Sequence, residues 1–149
     1  MKNLAENRRA KFDYELMDRY EAGLALTGAE VKSAKAGHIS LKGSFVVAKD
    51  GELYLLNALI SPYKLAHRDT RHEDRRSRKL LLRRSEIRSL IGKSRVEGLT
   101  LVPIRVYTKN RLVKLEFAVG KGKRRLDKRD KIKRREADRE MGRAMRAKR

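Results

Sequence analysis

The last thirty residues, Gly120 to Arg149, limit the fold first: they hold fifteen Lys or Arg against five Asp or Glu and almost nothing to bury. Their only sizeable apolar side chains are Leu126, Ile132, Met141 and Met145. Packing cannot offset the ordering entropy of such a segment, so alone it is expected to be disordered or frayed. Helical spacing nevertheless runs through it. Ala137, Met141, Ala144 and Met145 share a face, and Asp130–Arg134, Glu136–Arg139 and Glu140–Arg143 are spaced to pair. Lys131–Arg135, Arg135–Arg139 and Arg139–Arg143 set like charges one turn apart, a repulsion that a polyanion would screen. The reading is a basic tail at 120–149 that becomes helical on RNA, carried by a folded domain at 1–119.

The net charge of +21 implies a polyanionic partner, with nucleic acid ahead of an anionic membrane and both ahead of a charge that serves solubility alone. The membrane reading fares badly. No run approaches the roughly 20 apolar residues of a spanning helix. The opening MKNLAENRRAKF has no apolar signal-peptide region, and the apolar stripe of the tail has no aromatic residue to seat in an interface. Absence of cysteine rules out disulfides and thiolate metal sites and fits the cytoplasm. His67 and His72 are five apart among arginines, with Asp69, Glu73 and Asp74 nearby, while His38 stands alone. The arginines repel a cation, so neither a metal nor any other cofactor is expected. GKGK at 120–123 lacks the spacing of a phosphate-binding P-loop. With carboxylates scattered through the folded part, the residues point to a binder rather than an enzyme.

Strand signals dominate the folded part. Phe12, Tyr14 and Leu16 alternate with acids, and Gly23 to Leu26 reads as a second short strand. Ala29 to Ala36 reads as a helix closed by Gly37, with Val31 and Ala34 on one side and Lys32 and Lys35 on the other. Phe45–Lys49 and Glu52–Ile60 are strands joined by a type I′ turn at Asp50-Gly51. Both faces of Leu53 to Leu56 are apolar, as in a strand covered on two sides. Ser61 to Ser77 is a long basic loop. Arg78 to Leu82 returns as a strand, and Ser85 caps a helix that Gly92 ends. In the last hairpin Val102, Ile104 and Val106 face Val113, Leu115, Phe117 and Val119 across a Lys109-Asn110 turn, and Pro103 is expected at an edge. About six antiparallel strands and two or three short helices imply a mostly-β, OB-like barrel.

Residues 1–11 read as an exposed basic arm. Arm, helix face, loop and tail together form a distributed phosphate footprint. Scarce aromatics, with no Trp, argue against a stacking platform for single strands and for recognition of folded RNA by shape and backbone. Glu21 and Glu30 stand out in so basic a domain: each is either a capping or surface carboxylate, or an acceptor for a base edge or a neighbouring Arg or Lys.

Several blocks resemble the small protein B family of SsrA-binding proteins. They are Asn7-Arg8-Arg9-Ala10, Tyr20 through Ser33, Ala36-Gly37, Asp50 through Leu55 and Ile60 through Tyr63. They continue in Arg78 through Leu82, Gly98 through Pro103, Gly120 through Lys123 and Asp127-Lys128-Arg129. The resemblance implies a non-enzymatic OB-like barrel that binds the tRNA-like domain of transfer-messenger RNA (tmRNA, SsrA RNA). It implies delivery of that RNA to stalled ribosomes in trans-translation, with the tail in the decoding centre and empty mRNA channel. By the resemblance, Asn7, Tyr14, Glu21, Leu81 and Gly122 contact tmRNA, although Leu81 reads equally well as core. Lys32, Arg78 and Lys79, from the matching basic blocks, are added as phosphate contacts. Asp127, Lys128 and Arg129 match the decoding-centre motif; the two cations would hold rRNA phosphates and Asp127 would accept from a base or backbone group. Leu126, Ala137 and Phe12 depart from relatives that carry Tyr or His, Trp, and His at those places, so aromatic or imidazole contacts are not carried over. A monomer is expected. The alternative is a structural ribosomal protein with a basic extension.

Overall fold

The structure, a computed structural model, describes residues 1–62 and 74–123. In chain order these form β1 (Lys2–Glu6), α1 (Ala10–Asp13), β2 (Tyr14–Leu24), α2 (Gly28–Lys35), β3 (Ile39–Ser40), β4 (Phe45–Lys49), β5 (Glu52–Leu56) and β6 (Leu59–Ile60). Then follow β7 (Arg78–Leu81), α3 (Arg84–Ser94), β8 (Leu99–Lys109) and β9 (Leu112–Gly122). The main sheet runs β1-β8-β4-β5-β7-β2-β9, and β9 returns to pair with β8. Six strands therefore close into an antiparallel barrel with β1 attached to β8, which is the mostly-β OB-like architecture expected. Closure leaves few open edges.

The barrel is filled by Leu53, Leu55, Leu80, Val106, Leu115 and Phe117, all with no exposed surface. α3 closes over β4, β5 and β8 and buries Ile87 and Leu90. α2 packs on β6 and β9, burying Ala34. Thr27 caps α2 by accepting from the Glu30 N–H at 3.2 Å, while the Glu30 carboxylate accepts from the Thr27 N–H at 2.9 Å. This reciprocal box, with Gly37 at φ 87° just past the helix, fixes both ends close to the expected bounds.

Asp50 and Gly51 both have positive φ, 52° and 75°, as the type I′ turn requires. The second hairpin turns one residue later than expected, at Asn110-Arg111 with φ 50° and 66°. Glu52–Ile60 is not one strand. It breaks at Asn57, φ 61°, whose amide donates to the Gly43 carbonyl at 3.1 Å.

Other differences arise from pairing between distant segments. The N-terminal arm is an edge strand: β1 pairs with β8 from Lys2 opposite Thr108 to Glu6 opposite Arg105. Phe12 lies in the one-turn helix α1 and not in a strand. Tyr14 through Leu24 is a single strand bent by a bulge between Leu16 and Arg19. α3 starts without a side-chain cap and continues through Gly92 to Ser94. Among the described residues nine strands form, several only two to five residues long. In β8 a bulge between Pro103 and Arg105 makes Ile104 the extra residue. Leu101, Pro103 and Val106 then oppose Val119, Phe117 and Leu115, while Val102 opposes Ala118 on the other parity. Pro103 is therefore interior, in the gap where β8 changes partner from β4 to β1, next to the bulge. β9 runs on to Gly122, beyond the expected boundary at Val119.

Candidate RNA interface

The alternation of β7 decides which of its residues can meet a ligand. Arg78 and Leu80 point inward with no exposed surface, and Leu81 points out with about half of its surface exposed, 52%. Leu81 is thus not core. It lies opposite Gly23 of β2, where a Cβ would stand 3.2 Å from the Leu81 Cβ, so the bare glycine backbone seats the side chain. On the other side of Gly23 is Lys114 of β9. Lys79, exposed two residues before Leu81, pairs with Glu52 at 3.6 Å. Lys114 is not among the RNA contacts expected from sequence, where it reads only as an outward-facing residue of the last hairpin; the β2–β9 register brings it to this strip.

Glu21 stands on the same strip, two residues before Gly23. The Tyr107 hydroxyl donates to Glu21 Oε2, and Lys109 Nζ lies 3.4 Å from both carboxylate oxygens. The Tyr107 bond, then the Lys109 charge and hydrogen bond, outweigh burial and hold the Glu21 carboxyl below its usual range. Burial and the facing carboxylate push the Tyr107 hydroxyl up, so it stays a donor at neutral pH. A carboxylate repels a phosphate; flanked by Lys109 and Lys114, Glu21 has the chemistry to accept from a donor such as an amino or hydroxyl group while the two cations suit an anion.

A second cluster forms where the two ends of the barrel chain meet. Tyr14 opposes Gly122, and the Lys123 N–H donates to the Asp13 carbonyl at 3.0 Å. Lys123 Nζ caps the Lys11 carbonyl at 3.0 Å. Asn7, half-buried, donates through its amide to the Pro103 carbonyl at 2.8 Å and through its backbone to Ile104 at 2.7 Å. An open groove of about 730 Å³ is lined here by Asn7, Arg8, Arg9, Tyr14, Lys42 and Phe45, among others. Arg9 pairs with Asp13 and lies 5.5 Å over the Phe12 ring. Gly122 is exposed beside this groove.

Of the remaining candidates, Lys32 is exposed on α2, outside both clusters. Arg78 is corrected. It has no exposed surface to offer a phosphate, and its guanidinium donates to Glu30 Oε2 at 2.8 Å, the Ala58 carbonyl at 2.7 Å and the Asp74 carbonyl at 3.0 Å. Glu30 also binds Arg76. It is both cap and arginine partner, the two roles that sequence left open. Burial pushes its carboxyl up, but Arg76, the Thr27 N–H and Arg78 together hold it below the usual value. Asp127, Lys128 and Arg129, with His67, His72, Arg68 and Arg71, lie outside the described residues. Among the described residues no group of three or more His, Cys, Asp or Glu is placed to hold a metal, and no helix is long and apolar enough to cross a membrane.

Comparison with known proteins places this architecture. A relative in Symbiobacterium thermophilum, named SsrA-binding protein, is 52% identical over 96% of this chain and 90% of its own. Relatives of the same name in Nostoc sp. and Desulforudis audaxviator are each 50% identical, over 97% and 99% of this chain and 93% and 95% of theirs. A solved structure described as "tmRNA-SmpB: a journey to the center of the bacterial ribosome" superposes with a TM-score of 0.65 at 48% identity. It covers 80% of this chain and 84% of that one. The SmpB protein family profile matches residues 4–147, and the chain belongs to that family.

Proposed function

We propose that this protein binds the tRNA-like domain of tmRNA and brings it to stalled ribosomes for trans-translation, acting in the cytoplasm as a single-copy, non-enzymatic factor. What carries the reading is the near full-length likeness, at about half identity, to proteins named for binding SsrA RNA. The barrel surface suits the task. Glu21 and Leu81 form a reading strip bordered by Lys79, Lys109 and Lys114, and Asn7, Tyr14 and Gly122 border the groove from which the tail departs. In this reading the barrel selects the RNA. The tail, with Asp127, Lys128 and Arg129, serves the decoding centre and the empty mRNA channel. A structural ribosomal protein with a basic extension is not favoured by these relatives, which are named for an RNA that is not ribosomal.

The test is a titration of the full chain and of a truncation ending at Lys123 with the tRNA-like domain, under excess unrelated tRNA at near-physiological salt. Ending at Lys123 keeps all of β9 and both Lys123 contacts. The truncation should bind selectively, and full-length protein with Lys128→Glu and Arg129→Glu should bind RNA but fail in peptide tagging. Loss of selectivity on truncation would make the tail part of the RNA grip and end the proposed division.

A further inference from the structure

Tyr107 is nearly fully buried, with 2% of its surface exposed, yet its side chain lies on the outer face of β8 in register with Lys114. Alternation along β8 puts Arg105, Tyr107 and Lys109 on that one face. The Arg105 guanidinium lies 4.6 Å over the Tyr107 ring. Arg105 is itself held by Glu116 at 3.2 Å and by Asn3 at 3.0 Å. Glu116 in turn binds Arg19 of β2 at 3.1 Å. The ring is therefore fixed from above by a cation that three other strands hold in place. Its hydroxyl emerges at Glu21.

We propose that Tyr107 is the positioning residue for the RNA-reading carboxylate: its hydroxyl clamps Glu21 Oε2, leaving Oε1 to accept from an RNA amino or ribose hydroxyl group. This rests on the reading of Glu21 as an RNA contact. Glutamate has three freely rotating side-chain bonds, and an exposed one loses that freedom when it binds. A clamp made in the free protein removes part of that cost beforehand. The geometry divides the two oxygens. Oε2 takes the tyrosine, whereas Oε1 has only the long 3.4 Å approach of Lys109. The donor is also suited to the position. A phenol donates without adding a positive charge that RNA phosphates would draw away from the carboxylate. A lysine ammonium in its place would be shared with those phosphates.

Tyr107→Phe keeps the ring under Arg105 and removes only the donor. Binding of the tRNA-like domain should weaken about tenfold, part of the worth of a charge-assisted hydrogen bond. Glu21→Gln should weaken it too, and Tyr107→Phe should add nothing further in the Glu21→Gln background. The second readout is the Glu21 carboxyl itself, followed by carbon NMR as pH is lowered. Its midpoint should rise in Tyr107→Phe, and RNA binding should fail at a correspondingly higher pH. The charged groups facing it are Lys109 of β8, Lys114 and Glu116 of β9 and Arg19 on its own strand; all are unchanged in the variant. If Glu21→Gln weakens binding but Tyr107→Phe does not, the clamp is refuted and the Glu21 contact stands. An undiminished Tyr107→Phe loss in the Glu21→Gln background refutes it equally. If Glu21→Gln binds like the native chain, the contact itself is wrong and the clamp falls with it.

Discussion

Replacing Glu30 by Ala removes the carboxylate that pairs with the buried Arg78, and the structure sets the size of the effect. The Arg78 side chain has no exposed surface and Glu30 has 14% of its own, so the pair is largely sheltered from solvent screening. Three carbonyls would still accept from the guanidinium, but none carries a charge. Removing one partner of a buried pair costs about 3–5 kcal/mol. Glu30 also supplies half of the capping box of α2, worth about 1 kcal/mol more. At about 4 °C per kcal/mol for a domain near 100 residues, Glu30→Ala should melt about 15–25 °C below the native protein. Glu30→Gln can still close the box and should recover about 4 °C of that loss, which separates cap from ion pair. The assay is thermal unfolding followed by circular dichroism, with RNA affinity measured at low temperature where the variants are folded. Affinity should be retained, because Glu30 is turned into the fold. A melting point within 5 °C of native would refute the claim that this pair anchors β7 to α2 (roughly 1 kcal/mol on the same scale).

The same carboxylate sets an acid limit. The Glu30 value is lowered in the fold, so its contribution is fully present above the unfolded value near pH 4.3 and is lost as pH falls through the lower folded value; urea midpoints against pH should show a steep acid limb that Glu30→Gln flattens. Gly120→Ala should destabilise by about 1–3 kcal/mol, because its Cβ would stand 2.7 Å from Val102 Cγ2 and 3.2 Å from the Tyr14 Cβ. Combining it with Val102→Ala, which opens that space, should regain part of the loss in a urea titration. Leu81→Ala should change stability by less than about 1 kcal/mol, since the side chain is 52% exposed, while weakening tmRNA binding severalfold; a loss of stability comparable to a core leucine would return Leu81 to the interior.

Much of this protein was legible in its sequence where the determinant is local. The Asp50-Gly51 hairpin, the extent of α2 with its terminal Gly37, and the mostly-β class all follow from turn chemistry and short-range periodicity; the expected two-sided cover of Leu53 to Leu56 does not, since Leu53 and Leu55 are buried on one face of β5 while Tyr54 and Leu56 on the other are half-buried. Residue blocks carried the family. What sequence left open at Leu81 and Glu30, and misplaced at Arg78, depends on which strand lies beside which. A strand's side chains alternate, so a single position separates Leu80 in the core from Leu81 at the surface, and Arg78 from Lys79. Bulges at Ile104 and between Leu16 and Arg19 shift that parity within one strand, and nothing in the local pattern announces them. The pairing of β1 with β8, the arginine pair on Glu30 and the meeting of Tyr107 with Glu21 join residues far apart in the chain. Only barrel closure brings those partners within reach, because their contact comes from the register of strands that are distant in sequence, while local sequence sets each strand alone.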